Sequence, residues 1–185
     1  CDARALYKEC IRTQVDKDAC HKKWAQTDTD QNGYPLDCSG WNVLGKTDPL
    51  TGIMGSDDPS DDIGHGTHVS AVIGGRGFVG GMAQNVEILP VKVLGKGEVE
   101  PVSEVSSGTD VPNPRSAEFN QQTAFADAVA RGVLYAVRSR AQVINMSLGY
   151  SIHDDSELMR QMVALAQRQG LLVVAAAGNQ ASKSP

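Results

Sequence analysis

Helical and strand periodicities alternate between residues 63 and 180, which predicts an α/β fold with a mostly parallel sheet. Two observations support this. The apolar run Leu171 to Ala177 is unbroken and of strand length, as in a strand covered on both faces. The strand-like runs are separated by helical patterns, so successive strands run parallel with right-handed crossovers. Taken in order, His65 to Ile73 reads as a helix closed by Gly74-Gly75, and Val86 to Leu94 as a strand. Gln121 to Arg138 reads as a helix because Phe125, Val129, Val133 and Val137 recur every four residues. Gln142 to Ser147 is the second strand. Ser156 can cap a helix over Ser156 to Gln169, with Leu158, Met162 and Leu165 as its stripe and Gly170 as its end. Leu171 to Ala177 is the third strand. Ahead of these elements, residues 1–62 are polar, acidic and rich in turn residues such as Asp48-Pro49 and Asp58-Pro59. They read as loops, with room for a short helix over Ala3 to Val15. The chain thus divides into a Cys-rich, loop-rich part (1–62) and a parallel α/β part (63–185). Gly95 to Ser116, with Pro101, Pro112 and Pro114, reads as a surface insertion in the latter.

The 185 residues suffice for one domain with a core. A 41% hydrophobic and 21% charged composition excludes wholesale disorder. A net charge of -5 argues against nucleic-acid or anionic-membrane partners. No apolar run is long enough to span a bilayer. All four cysteines (Cys1, Cys10, Cys20, Cys38) lie in the first 38 residues. That clustering favours a disulfide-stapled segment and an oxidising, extracytoplasmic compartment. Four cysteines allow three pairings, and spacing does not choose among them. Free thiols are the bland alternative, and a zinc site lacks any C-x-x-C spacing.

Asp28, Asp30, Asn32, Tyr34 and Asp37 follow the D-x-D-x-N-G-x-x-x-D spacing of a calcium loop, in which alternate oxygens converge on one cation and Gly33 makes the turn. No Glu stands at the twelfth position, so it is not a full EF-hand; the alternative is an ordinary Asp/Asn turn. Gly75 to Gly80 is formally G-x-G-x-x-G, but it follows a helix rather than a strand and reads as a close-packed loop. Three other blocks sit where ligands bind in parallel sheets, or at a helix start. His65 opens a helix between Gly64 and Gly66, closely approachable and suited to proton transfer near neutral pH. His68 lies one helical turn on, with no carboxylate on the same helix to complete a metal site. Ile144 to Gly149 is a strand running into a small-residue end. Val174 to Asn179 leaves space beside three alanines, and Gly178 permits a turn that projects the Asn179 amide as a donor to a developing oxyanion.

Together these blocks resemble the subtilisin-like serine proteases (subtilases). The resemblance rests on H-G-T-H-V at His65 to Val69, V-K-V-L at Val91 to Leu94, I-N-M-S-L-G at Ile144 to Gly149 and V-A-A-A-G-N at Val174 to Asn179. Asp37 to Asn42 also resembles the Y-G-W-N lead-in of bacterial members. The similarity covers roughly residues 28–180 and implies a three-layer subtilisin-like fold, of which this chain covers part. It implies a serine endopeptidase acting on proteins or peptides through an Asp/His/Ser triad. His65 would be the general base and Asn179 the oxyanion donor. Ser147, Leu148 and Gly149 would line the specificity pocket and pair with substrate backbone, with Ala176, Ala177 and Gly178 as the opposite wall. Leu94 and Gly95 would lie on the substrate's other side. His68 would pack and bond behind the helix. Bound calcium would also be in keeping.

The family's D-[ST]-G turn and G-T-S-M-A block are absent from this sequence, and Gly81-Met82-Ala83-Gln84 replaces the usual G-[IV]-A-P. The resemblance therefore implies a chain cut between the catalytic Asp and Cys1, and again between Asn179 and the nucleophile. Companion chains or segments would supply that Asp and Ser. Alone, the chain is expected to be inactive, poorly stable and to expose sheet surface. The alternative is a non-catalytic or truncated relative that binds peptides without cutting them.

Overall fold

A computed structural model describes residues 2–13, 16–24, 27–78, 80–96, 114–149 and 157–178. Helices α1 (Asp2–Thr13) and α2 (Lys17–Trp24) form a hairpin closed by the Cys10–Cys20 disulfide. Asp16 accepts a bond from the Ala19 amide at 3.0 Å and so caps α2. Cys38 is also disulfide-bonded. The described cysteines, Cys10, Cys20 and Cys38, thus act as staples rather than as free thiols or zinc ligands.

Strands β1 (Trp41–Thr47) and β2 (Met54–Ser56) follow, then helix α3 (His65–Gly74) and strand β3 (Val91–Lys92). Helix α4 (Pro114–Arg138), strand β4 (Val143–Met146), helix α5 (Glu157–Arg168) and strand β5 (Leu172–Ala175) complete the described chain. The strands form two groups. One has the order β2-β1-β3, with β1 antiparallel to β2 and parallel to β3 (Trp41 opposite Val91). The other is the parallel pair β4-β5, in register from Val143 opposite Leu172 to Met146 opposite Ala175. The β4–β5 pairing across α5 is parallel, as the alternating pattern predicts, whereas β3 pairs among the described residues with β1, which that pattern does not read as a strand, and not with β4.

Helix α4 joins the two groups. The stripe Phe125, Val129 and Val133 packs with Ala166 and Leu171, and Ile144, Met146 and Val173 from β4 and β5 lean on it. Its other side presents Ala128 and Tyr135 to Tyr34, Trp41, Val43 and Leu44. Val93, just past β3, touches both clusters. At Gly132 the helix comes so near β3 that an added Cβ would sit 2.7 Å from a Val93 methyl. Tyr34 meets Trp41 and Tyr135 edge-on, with ring centroids 5.1 and 4.8 Å apart, the geometry the ring quadrupoles favour.

Several expectations are corrected. Residues 1–62 are not simply loops: they hold α1, α2, β1 and β2, and β1 carries three of the most buried side chains, Trp41, Val43 and Leu44. The strand expected over Val86 to Leu94 is paired only at Val91–Lys92. The helix expected from Gln121 starts at Pro114, a residue suited to a first helical turn, so Pro114 to Ser116 belong to α4 rather than to an insertion. The rest of that insertion, 97–113, lies outside the described residues, as does Ser156. Finally, β5 is not covered on both faces. Leu172 and Val174 are 60% and 45% exposed, because their side chains alternate with Val173 onto the face away from the α4–α5 cluster. The sheet surface expected to be open is open.

Candidate active site

The local fold of the His65 block begins with two adjacent carboxylates. Asp61 Oδ1 accepts bonds from the Ile63 and Gly64 amides at 3.0 and 2.8 Å. Its Oδ2 accepts from the Thr67 amide and hydroxyl at 2.8 and 2.6 Å. Helix α3 has no side-chain bond from its own cap residue, Gly64, which turns in the left-handed region at φ 95°. Asp61 takes over that role, satisfying an otherwise unpaired first-turn amide. These bonds, the Thr67 hydroxyl foremost, hold the Asp61 carboxyl well below the usual carboxylate range. His65 is thereby placed at the first position of α3, exposed to solvent. His68 is exposed too, which corrects the expectation that it packs behind the helix. The reason is that α3 contributes no buried side chain among the described residues.

Asp62 reaches the other way. Its Oδ2 accepts the Lys96 amide at 3.0 Å, and its Oδ1 lies 3.3 Å from Lys92 Nζ. The Lys96 bond first, and then Lys92, lower its carboxyl. Leu94 and Gly95 lie between these two anchors, with Leu94 exposed. His65 and the Leu94–Gly95 end are therefore brought into one structural unit. This unit is not legible in the sequence: the Asp61-Asp62 pair stands ahead of Gly64-His65, but the Asp62 partners Lys92 and Lys96 are not local to it.

A second unit forms at the ends of β4 and β5. In-register parallel pairing carries Ser147, Leu148 and Gly149 out beside Ala176, Ala177 and Gly178. The Ala176 amide donates to Met146 O at 3.2 Å, extending the ladder by one step. Ser147 Oγ accepts from Asn145 Nδ2 at 3.0 Å. Ser147 and Leu148 are half-buried, while Gly149 and Ala176 to Gly178 are exposed. Gly178 has φ 85°, the left-handed turn that its residue type allows. Asn179 lies outside the described residues. Two adjacent strand ends lined by small residues can accept an extended peptide backbone.

The Asp/Asn loop has the turn its spacing predicts. Asp28 accepts the Asn32 and Gly33 amides at 3.2 and 2.7 Å, and Asn32 Oδ1 accepts the Tyr34 amide at 2.7 Å. Asn32 Nδ2 donates to Asp37 at 2.7 Å and to Ser139 of α4 at 3.0 Å. Burial, a hydrogen bond with Asp28 and the Asp37 charge raise Asp30. The donor set is all oxygen, as a hard cation requires. Among the described residues, however, no three His, Cys, Asp or Glu side chains are arranged to hold a metal ion. The Gly75 to Gly80 loop is close-packed only in part. Gly75 and Gly81 abut backbone where no Cβ would fit, whereas Phe78 projects into solvent.

A family model described as the subtilase family matches residues 48–185. The minor extracellular protease Epr of Bacillus subtilis (strain 168) is 30% identical over 131 residues, covering 68% of this chain and 16% of that protein. The thermophilic serine proteinase of Bacillus sp. (strain AK1) is 33% identical, covering 69% of the chain and 26% of that protein. The major intracellular serine protease of B. subtilis (strain 168) is 33% identical, covering 65% and 31%. The chain thus spans less than a third of the length of each of these relatives. No solved structure matches it. No helix among the described residues is long and apolar enough to cross a membrane.

Proposed function

The chain belongs to the subtilase family and has its α/β fold, and from that premise we propose that it forms part of a serine endopeptidase. The observation that carries the proposal is the pair of parallel, in-register strand ends after β4 and β5, in a chain that also fixes the His65 block at the start of a helix. In this reading His65 takes the proton of the attacking serine and returns it to the leaving amine. Asn179 donates to the oxyanion of the tetrahedral intermediate. Ser147 to Gly149 and Ala176 to Gly178 form the two walls of the primary specificity pocket. Leu94 and Gly95 flank the substrate on its other side. The nucleophilic serine and the aspartate that orients His65 come from companion chains or segments, since this sequence has neither a D-[ST]-G nor a G-T-S-x-A block. The chain alone carries out no turnover.

The substrates are proteins or peptides, bound as an added strand. The disulfide-stapled N-terminal part supports a secreted protein, although the relatives include enzymes named extracellular and intracellular. We also propose a structural calcium ion held by Asp28, Asp30, Asn32, Asp37 and the Tyr34 backbone oxygen. The all-oxygen donor set supports it, and so does the Asp30 carboxyl, which burial, the Asp28 hydrogen bond and then the Asp37 charge push upward. The ion has to draw these groups in from their present positions.

The test is burst kinetics on the protein that carries this chain with its companion segments. His65→Ala is expected to abolish acylation; acylation at the unaltered rate would overturn the assignment. A protein that binds peptides with unchanged affinity but releases no product, before and after the substitution, is the non-catalytic relative instead.

A further inference from the structure

We propose that Asp62 is a positioning residue, which sets the placement of the Leu94–Gly95 edge against His65. This rests on the endopeptidase reading. The Asp62 carboxylate touches β3 and its continuation at two points, Lys92 Nζ at 3.3 Å and the Lys96 amide at 3.0 Å. Those contacts bracket Leu94 and Gly95. From the core side the same segment is held by Val93, which is wedged between the two hydrophobic clusters. The edge is therefore pinned on both sides, and among the described residues of this segment Leu94 and Gly95 are left to meet an extended ligand.

The other end of the brace is equally defined. Asp62 follows Asp61, whose carboxylate organises the start of α3 through Ile63, Gly64 and Thr67. His65 is three residues beyond Asp62 on that turn. Two neighbouring carboxylates thus work as one part: one fixes the helix start that carries His65, the other fixes the strand end. Lys92 is only 10% exposed, so its ammonium is held away from solvent against Asp62 and has little freedom to swing. A misplacement of about 1 Å between reacting groups and bound substrate can cost on the order of a hundredfold in rate. A brace across this span is therefore a device for substrate register. It acts through Leu94 and Gly95 and does not touch the reacting atoms.

The experiment compares Asp62→Asn and Asp62→Ala in the protein carrying this chain and its companion segments, with rates normalised to titrated active sites. Two probes are used: a peptide substrate extended by several residues on the acyl side, and a single-residue ester that makes no contact with the Leu94–Gly95 edge. For Asp62→Ala, kcat/KM on the extended peptide is expected to fall by about tenfold or more relative to the ester. Asp62→Asn, which keeps an acceptor for the Lys96 amide, should lose less. Equal losses on both probes, or none on either, overturn the proposal, because a purely structural defect lowers both alike. A second measurement does not depend on activity. In nitrogen-15 spectra of the Asp62→Asn protein, the Lys96 amide and the His65 ring resonances are expected to move together. Movement confined to residues 61–64 overturns the brace. If the unsubstituted protein hydrolyses neither probe, the endopeptidase reading has failed, and the spectra still decide whether Asp62 couples the two elements.

Discussion

The Tyr135 hydroxyl donates a 2.8 Å hydrogen bond to Asp37, joining helix α4 to the Asp/Asn loop across 98 residues of sequence. Asn32 completes the junction from the loop side by donating to both Asp37 and Ser139. Tyr135 is fully buried and stands edge-on to Tyr34. One side chain therefore closes a core cluster and orients a carboxylate of the proposed calcium loop.

Tyr135→Phe should keep the ring packing and remove that bond, destabilising the protein by about 1.5 kcal/mol. The check is the urea midpoint. Burial and the Asp37 hydrogen bond also push the Tyr135 phenol upward from its ordinary value of 10.0. The folded state then holds this proton more tightly than the unfolded chain does. The stabilisation is fully present below pH 10.0 and is lost as pH rises toward the higher folded value. Tyr135→Phe should flatten the alkaline limb of the stability–pH curve.

Chelation of calcium should lower the melting temperature of the protein, and Asp30→Asn should remove that sensitivity. Bound calcium should also reverse the upward shift of Asp30, because a cation favours the carboxylate. A melting temperature unmoved by chelator removes the site.

Gly132→Ala places a methyl 2.7 Å from Val93 Cγ1 and 3.2 Å from Val91 Cγ1. Both neighbours are β-branched and stiff, so α4 must move off β3. The expected destabilisation is about 1–3 kcal/mol by overpacking, despite the better helix propensity of alanine. Chemical denaturation measures it, and a stabilised variant would contradict the close approach.

Asp61→Asn should fray the start of α3. The Asp61 carboxyl lies below its ordinary value of 3.8 in the folded state. Its contribution is therefore complete above pH 3.8 and fades as pH falls below it toward the folded value. Protection of the Thr67 amide against exchange, relative to the unfolded chain at the same pH, should fall in acid for the native protein and already at neutral pH for Asp61→Asn.

Asn179→Ala should cost about a hundred- to a thousandfold in kcat if the amide stabilises the oxyanion. A change confined to KM would contradict that role.

Whatever depends on period, spacing or local chemistry was legible in the chain before folding. The four-residue stripe of α4 follows from helix pitch, and the in-register ends at Gly149 and Gly178 follow from two parallel apolar strands. The turn at Gly33 was legible because Asx chemistry acts within a few residues. So was the family, because H-G-T-H-V, I-N-M-S-L-G and V-A-A-A-G-N occur in one chain. Contacts between residues far apart in sequence came from the packing of the folded chain. Trp41 to Thr47 mixes apolar residues with Asn, Gly and Lys, and becomes a core strand because β3 and α4 cover it. Pairing of Cys10 with Cys20 depended on how α1 and α2 fold back on each other. The uncovered faces of α3 and β5 could not be read from their apolar composition, since burial is set by neighbours and not by the segment itself. Asp62 belongs to the same class: its partners Lys92 and Lys96 lie 30 or more residues away, and nothing local points a carboxylate at them.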